Sequence, residues 1–320
     1  MVFILSVIII KCGLSLFDTL WNLFGFCVAV VVVMIGATTQ YSSVMLVDQP
    51  ELSAVQFKFT NAVSLGWSTD LNTSTINFRV FMEGSQPAIK YVTISSDILS
   101  LGKRIDPESN IAEVYLPALP LGDWTTADIG FAVDGELIKV TQTSAAPLPG
   151  VKNIWHPDFY DILDFGIIAA PWFSTRVKLV THPSLKTPGN KAVLKFAEFS
   201  NMIPQINTET GIYEHLVGYG IAPQFIAHVT ENNGARVVGF LVQYIEDARR
   251  VQKDTYSDLA VEKCKATLSK LHQYGITHND AHPNNCLIQR DGSAILIDFE
   301  FATRGKANSE LDYARMDEPF

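Results

Sequence analysis

The chain has 320 residues, with 24 Lys plus Arg against 33 Asp plus Glu and a formal net charge of −9. A composition 48% apolar and only 18% charged can fill a core, which excludes global disorder. The acidic balance argues against a nucleic-acid binder, which carries a basic patch or stripe. Cys12, Cys27, Cys264 and Cys286 form no C-x-x-C pair, which excludes a zinc ribbon, and four cysteines are sparse for a disulfide scaffold.

Residues 1–40 are a hydrophobic segment. Up to residue 39 only Lys11 and Asp18 are charged, and residues 19–37 carry no charge. A stretch of that size can just cross a hydrocarbon core of about 30 Å, so it reads as a membrane anchor. Two alternatives stay open. Four successive valines favour a buried β-rich segment, and the start of the reading frame admits a mis-assignment.

Residues 41–150 read as a β-rich domain of unknown role. Ile76, Phe78, Val80 and Met82 alternate with Asn77, Arg79, Phe81 and Glu83, close to the period of two of a half-buried strand. Asp134-Gly135, between apolar runs at 129–133 and 137–140, supplies the positive φ angles of a tight hairpin turn. Asn72-Thr73-Ser74 is a glycosylation sequon, which matters only in a secreted chain. No histidine precedes His156, and no polar cluster suggests catalysis here. The stretch A-P-L-P-G at 146–150 reads as a linker.

All seven histidines lie in residues 151–320. Val177–Val180 and Ala192–Phe196 read as short strands around a turn-rich Pro183–Asn190. Ile206–Val217 reads as a helix with Ile206, Tyr213, Leu216 and Val217 on one side. Val237–Tyr244 reads as another strand. A further helix starts near Ser257 or Asp258, with Val261, Cys264, Leu268 and Leu271 spaced three or four apart and Gly275 as its C-terminal cap.

Residues 275–301, G-I-T-H-N-D-A-H-P-N-N-C-L-I-Q-R-D-G-S-A-I-L-I-D-F-E-F, carry the chemistry. A helix ends in a loop rich in His, Asp and Asn, and two short apolar strands follow around Asp291-Gly292, the second ending at Asp298. Burying both strands brings Asp280, Asn285 and Asp298 towards one end of the hairpin. Hard oxygen donors of this kind suit Mg²⁺, which completes its shell with water and phosphate oxygens. The spacing matches phosphoryl transfer: a loop carboxylate, Asp280, to accept or orient a hydroxyl, with Asn285 and Asp298 as metal ligands.

H-N-D-A-H-P-N-N resembles the catalytic loop of the protein-kinase-like fold, above all the small-molecule branch of aminoglycoside phosphotransferases. H-N-D with I-D-F-E-F is similar to choline and ethanolamine kinases. The segments I-W-H-P, K-F-A-E-F, E-T-G-I-Y, G-I-A-P-Q-F and R-V-V-G-F-L-V resemble a group of fungal kinase-like proteins of unassigned role. The resemblance implies an α+β, two-lobed kinase-like fold with a shortened C-lobe at 151–320, preceded by the β-rich region and the hydrophobic segment. It implies ATP and Mg²⁺ as cofactors, Lys195 as phosphate clamp and Glu209 as its ion-pair partner. Lys195 otherwise reads as an edge-strand lysine, and Glu209 as a solvated helix charge. Gly239–Tyr244 and Ile245–Asp247 would form the hinge between lobes. His278 packs beneath the metal-binding strand, while His282 either donates to a phosphate oxygen or shapes the loop.

Two features depart from that family. No G-x-G-x-x-G loop is present, so a segment such as Gly166–Ser174 must cover the phosphates. The sequence runs 22 residues past Asp298 without an A-P-E motif, and Glu300 stands where D-F-G has glycine. These departures fit a small hydroxyl acceptor, an acceptor bound with help from the N-terminal domain, or a truncated relative of the family better than transfer to a protein loop. They leave open a pseudokinase or nucleotide-binding scaffold, and a membrane-tethered protein whose kinase-like part is vestigial. ATP chemistry implies that residues 41–320 face the cytosol.

Overall fold

In the computed structural model, residues 55–318 are described, apart from 71, 85–86, 96–103, 106–111, 133–137, 169–173, 253–256 and 306–308. The hydrophobic segment, Cys12, Cys27, the Asp134-Gly135 turn and most of the expected phosphate-covering loop lie outside the described residues. Among the described residues no helix is long and apolar enough to cross a membrane.

The first part of the chain is built from strands β1 (Val55–Phe59), β2 (Val63–Asp70), β3 (Thr75–Met82), β4 (Ala88–Ser95), β5 (Arg104–Ile105), β6 (Ala112–Leu116), β7 (Thr126–Phe131) and β8 (Ile138–Ser144). They form a three-stranded sheet, β1-β6-β5, and a five-stranded sheet, β2-β3-β4-β7-β8. Ile76, Phe78, Val80 and Met82 of β3 enter a shared core with Val92, Ile94, Leu116 and Trp124. The alternation is imperfect in one place: Arg79, expected on the solvent side, is 5% exposed. It is buried because Glu231 lies 3.7 Å away and the Phe196 ring lies beneath its guanidinium.

A six-stranded sheet follows, in the order β10-β11-β12-β14-β13-β9. Its strands are β9 (Phe159–Asp161), β10 (Gly166–Ile168), β11 (Val177–Thr181), β12 (Lys191–Phe196), β13 (Phe225–Glu231) and β14 (Arg236–Gln243). Helix α1 (Ile203–Leu216) packs Ile206, Tyr213 and Leu216 into the core beside it. The helix ends one residue before the expected boundary, and Val217, expected on the buried side, is exposed instead. Gly239 of β14 faces Phe196, and an added Cβ there would approach Phe196 Cβ to 2.7 Å, so glycine permits β12 and β14 to close.

The last part holds β15 (Arg249–Arg250), α2 (Asp258–Gln273), β16 (Ile276–Thr277), β17 (Cys286–Ile288), β18 (Ala294–Leu296), β19 (Thr303–Arg304) and α3 (Ser309–Met316). The Ser257 side chain accepts from Ala260 N and caps α2, while Gly275 takes the left-handed conformation at φ 67°. Val261, Cys264, Leu268 and Leu271 are buried, as their spacing predicts. Cys264 and Cys286 form a disulfide that ties α2 to β17. The cysteine spacing gave no hint of it, since the partners sit on a helix and a strand that only the fold brings together.

Residues 146–150 form neither helix nor strand but are held in place. Arg236 Nη1 donates to Pro149 O at 2.6 Å, and Val151 N donates to Val237 O at 2.9 Å. Arg236 also donates through Nε to Glu231 Oε1 at 2.7 Å and through Nη2 to Tyr91 OH at 2.7 Å. Tyr91 OH in turn donates to Glu231 Oε2 at 3.0 Å. Burial, and then Glu231, push the Tyr91 phenol up to about 12. This network fastens β4 to the β13–β14 hairpin. Sheets with few helices make a mixed α+β protein, in keeping with the expected kinase-like fold.

Candidate active site

Lys195 stands on β12, where the flanking Leu194 and Phe196 are buried. A lysine that is 7% exposed in such a strand requires counter-charges. Three supply them: Glu209 Oε2 at 2.6 Å, Asp298 Oδ1 at 2.7 Å and Glu300 Oε1 at 3.0 Å. Only the Asp298 contact has hydrogen-bond geometry, so Glu209 Oε2 and Glu300 Oε1 face the ammonium as ion pairs without a directed donor. Burial alone would lower the Lys195 ammonium. The three carboxylates outweigh it and raise the group well above its ordinary value, so the lysine stays charged.

Glu209 is presented by α1. Burial pushes its carboxyl up, to about 7, against the opposing pull of Lys195. Its Oε1 accepts from Phe299 N at 3.2 Å, which locks the residue after Asp298 onto the helix. Glu214, the next glutamate on the same helix, is exposed and takes no part in the site. Asp298 follows β18 with φ 69°, a left-handed conformation that aspartate tolerates better than most residues and that sets its carboxylate off the strand direction.

Glu300 also pairs with Arg176, Nη2 to Oε1 at 3.0 Å. Two cations thus face three carboxylates, leaving one formal negative charge. Glu209, Asp298 and Glu300 each offer an oxygen within 4.8 Å of the others. Glu209 Oε2 and Glu300 Oε1 already face the Lys195 ammonium, so the oxygen set suits a cation and the lysine fills that role here; a divalent ion would have to share these oxygens with it. Glu300, which was not among the expected ligands Asp280, Asn285 and Asp298, stands beside Asp298 on the same ammonium.

Asp280 and Asn285 lie together in the loop after β16. Asn285 Nδ2 donates to Asp280 O at 3.0 Å and to Asp280 Oδ2 at 3.1 Å. Asn285 O accepts from Ile297 N at 3.0 Å, which brings the loop beside the strand end that carries Asp298. Asp280 and Asp298 both act electrostatically on the buried His278. The His282 contact at 3.5 Å, assisted by Arg315 at 3.9 Å, holds the Asp280 carboxyl below its ordinary value. It is therefore ionised at neutral pH and able to accept a proton. His278 is fully buried, sits 3.1 Å from Ile297 O and packs on Phe299. Burial lowers its pKa, which fits a neutral packing group.

Sequence reasoning missed Arg176 and Asp312. Asp312 of α3, 0% exposed, accepts from His278 N and Asn279 N, each at 2.8 Å, and lies 2.8 Å from His272 Nε2. It thereby fixes the two residues before Asp280. The available signal was a carboxylate four residues before Met316, on the buried side of a short helix.

The family model described as "Phosphotransferase enzyme family" matches residues 258–311, which cover α2, the loop, the β17–β18 hairpin and the start of α3. A segment of 92 residues, 28% of this chain, is 30% identical to the "Dual specificity protein kinase zak2" of Dictyostelium discoideum. Another of 72 residues, 22% of the chain, is 32% identical to the "Sperm motility kinase 2B" of Mus musculus. The matched segments span 14% and 15% of the length of those relatives. These likenesses join the geometry in pointing to phosphotransferase chemistry.

Proposed function

We propose that the chain is an ATP- and Mg²⁺-dependent phosphotransferase that moves the γ-phosphoryl group of ATP to the hydroxyl of a small molecule. One observation carries the reading: Lys195 of β12 is held between Glu209 of α1 and Asp298 of the segment after β18, at 2.6 and 2.7 Å. In this mechanism Lys195 binds phosphate oxygens, and Glu209 fixes the ammonium. Asp280 orients the acceptor hydroxyl and takes its proton as the oxygen–phosphorus bond forms and the bond to ADP breaks. Asp298 and Asn285 are the assigned metal ligands, with Glu300 beside them. The ion would neutralise phosphate charge.

A second reading is a nucleotide-binding scaffold without turnover. The third carboxylate on Lys195, Glu300, favours it, since phosphate must compete for the same ammonium. In either reading residues 19–37 would tether a cytosolic domain to a membrane, and residues 41–150 would support the phosphotransferase region at 151–320.

Thermal-shift titration of the full chain with ATP and Mg²⁺ tests the reading. At a hundredfold excess over the dissociation constant, binding adds roughly 2.7 kcal/mol of stability. No shift removes both readings. A shift that survives Asp298→Ala removes the metal assignment. ADP release that persists in Asp280→Ala removes the base, and its absence in the unmodified chain leaves the scaffold.

A further inference from the structure

A cavity of about 540 Å³ opens where the C-terminal end of α1 meets the start of β13, the end of β14 and the strap at Trp155–His156. Its volume falls within the range of small-molecule sites, about 300–1,000 Å³. None of Lys195, Glu209, Asp280, Asn285 or Asp298 lines it, so it is separate from the candidate active site.

The lining specifies a ligand class. Among the described residues no Asp, Glu, Lys or Arg lines it, and the one imidazole, His156, has its Nδ1 engaged as acceptor for Asp158 N at 3.3 Å, so a carboxylate would lose hydration without a full counter-charge in return. Trp155, Tyr213 and Phe225 supply aromatic wall. The Phe225 ring lies 4.6 Å from Trp155 and 5.8 Å from Tyr213, both tilted; Phe225 and Tyr213 are buried, so the partly exposed Trp155 is the ring on which an aromatic ligand packs. Gln224 and Gln243 add carboxamides, which suit a ligand carrying an amide or hydroxyl. The walls are preformed: Trp155 Nε1 donates to Thr210 O at 2.9 Å, and Gln243 N donates to Gln224 O at 2.8 Å.

The cavity also touches the machinery at one remove. Tyr213 lies one helical turn after Glu209 and meets the Phe299 ring edge-on at 5.6 Å. Phe299 N is the group that Glu209 Oε1 accepts from. An occupant resting on Tyr213 therefore bears on the residue that follows Asp298.

We propose that this cavity binds a neutral aromatic small molecule bearing an amide or hydroxyl group, as a ligand separate from the phosphotransferase substrates. The probes are naphthalene-2-carboxamide and its charged isostere naphthalene-2-carboxylate, titrated calorimetrically into the full chain without nucleotide. The carboxamide should bind at least tenfold more tightly than the carboxylate. Ala222→Trp, which fills the cavity, should weaken it at least tenfold. Val217→Asp, at a residue 61% exposed and therefore safe for folding, should weaken the carboxamide several-fold by charging the rim. No binding up to millimolar probe, equal affinity for both probes, or affinity untouched by both variants would each overturn the proposal. Because no nucleotide is present, such a failure is distinct from failure of the phosphotransferase reading.

Discussion

Asp312→Ala removes one fully buried carboxylate and three of its contacts at once. The N–H groups of His278 and Asn279, each 2.8 Å from an Asp312 oxygen, lose their acceptor inside the protein, as does His272 Nε2. An orphaned buried donor costs about 1–3 kcal/mol, so the two backbone groups alone should cost about 4 kcal/mol. That is a large share of the 5–15 kcal/mol typical of a folded domain. Asp312→Asn keeps the shape and one acceptor but turns an amide towards a backbone N–H, so about 2 kcal/mol is expected. Asn279 holds φ 61° in this loop and anchors itself to Phe301 O and Thr303 Oγ1, so releasing its backbone should let Asp280 drift. Urea unfolding of the three proteins gives the stabilities. Phosphoryl-transfer assays on Asp312→Asn should find turnover reduced while nucleotide affinity is kept. An alanine variant within 0.5 kcal/mol of the parent would refute the claim that Asp312 holds the loop.

Lys195→Met should abolish the nucleotide-induced thermal shift. It leaves buried carboxylates without their cation, a loss of about 3–5 kcal/mol in comparable cases. Glu209, already raised to about 7, then relieves the site by taking a proton. A carboxyl raised in the fold favours the folded state at low pH and loses that advantage as pH rises through its folded value. The variant should therefore be less destabilised at pH 5 than at pH 8, and a pH-independent loss would contradict this. His228 works in the opposite sense. Burial, then His156, lowers it to about 4 from 6.5. The unfolded chain therefore binds the extra proton, and about 2 kcal/mol should be lost on going from pH 7 to pH 5. His228→Gln, whose amide oxygen can replace Nε2 as acceptor for Trp155 N, should flatten that dependence in urea titrations. Reducing or replacing the Cys264–Cys286 bond opens a constraint across a separation of 22 residues. The loop-entropy relation puts the loss at about 3 kcal/mol. Equal denaturant midpoints for the parent and a Cys264→Ala, Cys286→Ala double variant would argue against it.

Much of the α+β layout was legible because it rests on local patterns. The spacing of Val261, Cys264, Leu268 and Leu271, with Ser257 and Gly275 at its ends, fixed α2 almost to the residue. Lys195 and Glu209 were legible through the resemblance to kinase-like folds, and the fold brings the two together at 2.6 Å. What stayed hidden depends on distant chain. Arg79 occupies a solvent-side position in its own strand and is buried only because Glu231 arrives from another sheet. Arg176 acquires meaning only beside Glu300, and Asp312 only beside a loop more than 30 residues earlier. Val217 kept its helical phase on paper, but α1 had already ended. Charged residues of this kind are chosen by three-dimensional neighbours, and no one-dimensional period encodes those.

The bond between Cys264 and Cys286 has both sulfur-bearing residues at 0% exposure. Thiol–disulfide exchange requires a thiolate to reach a sulfur atom. A reductant can act here only when α2 lifts transiently from β17, so the lifetime of the bond follows local breathing rather than the surrounding redox poise. Cys286 directly follows Asn285, and that same breathing would disturb the loop carrying Asp280. Slow reduction and gradual loss of loop order should therefore proceed at a common rate, and the link could outlast transfer into a reducing compartment.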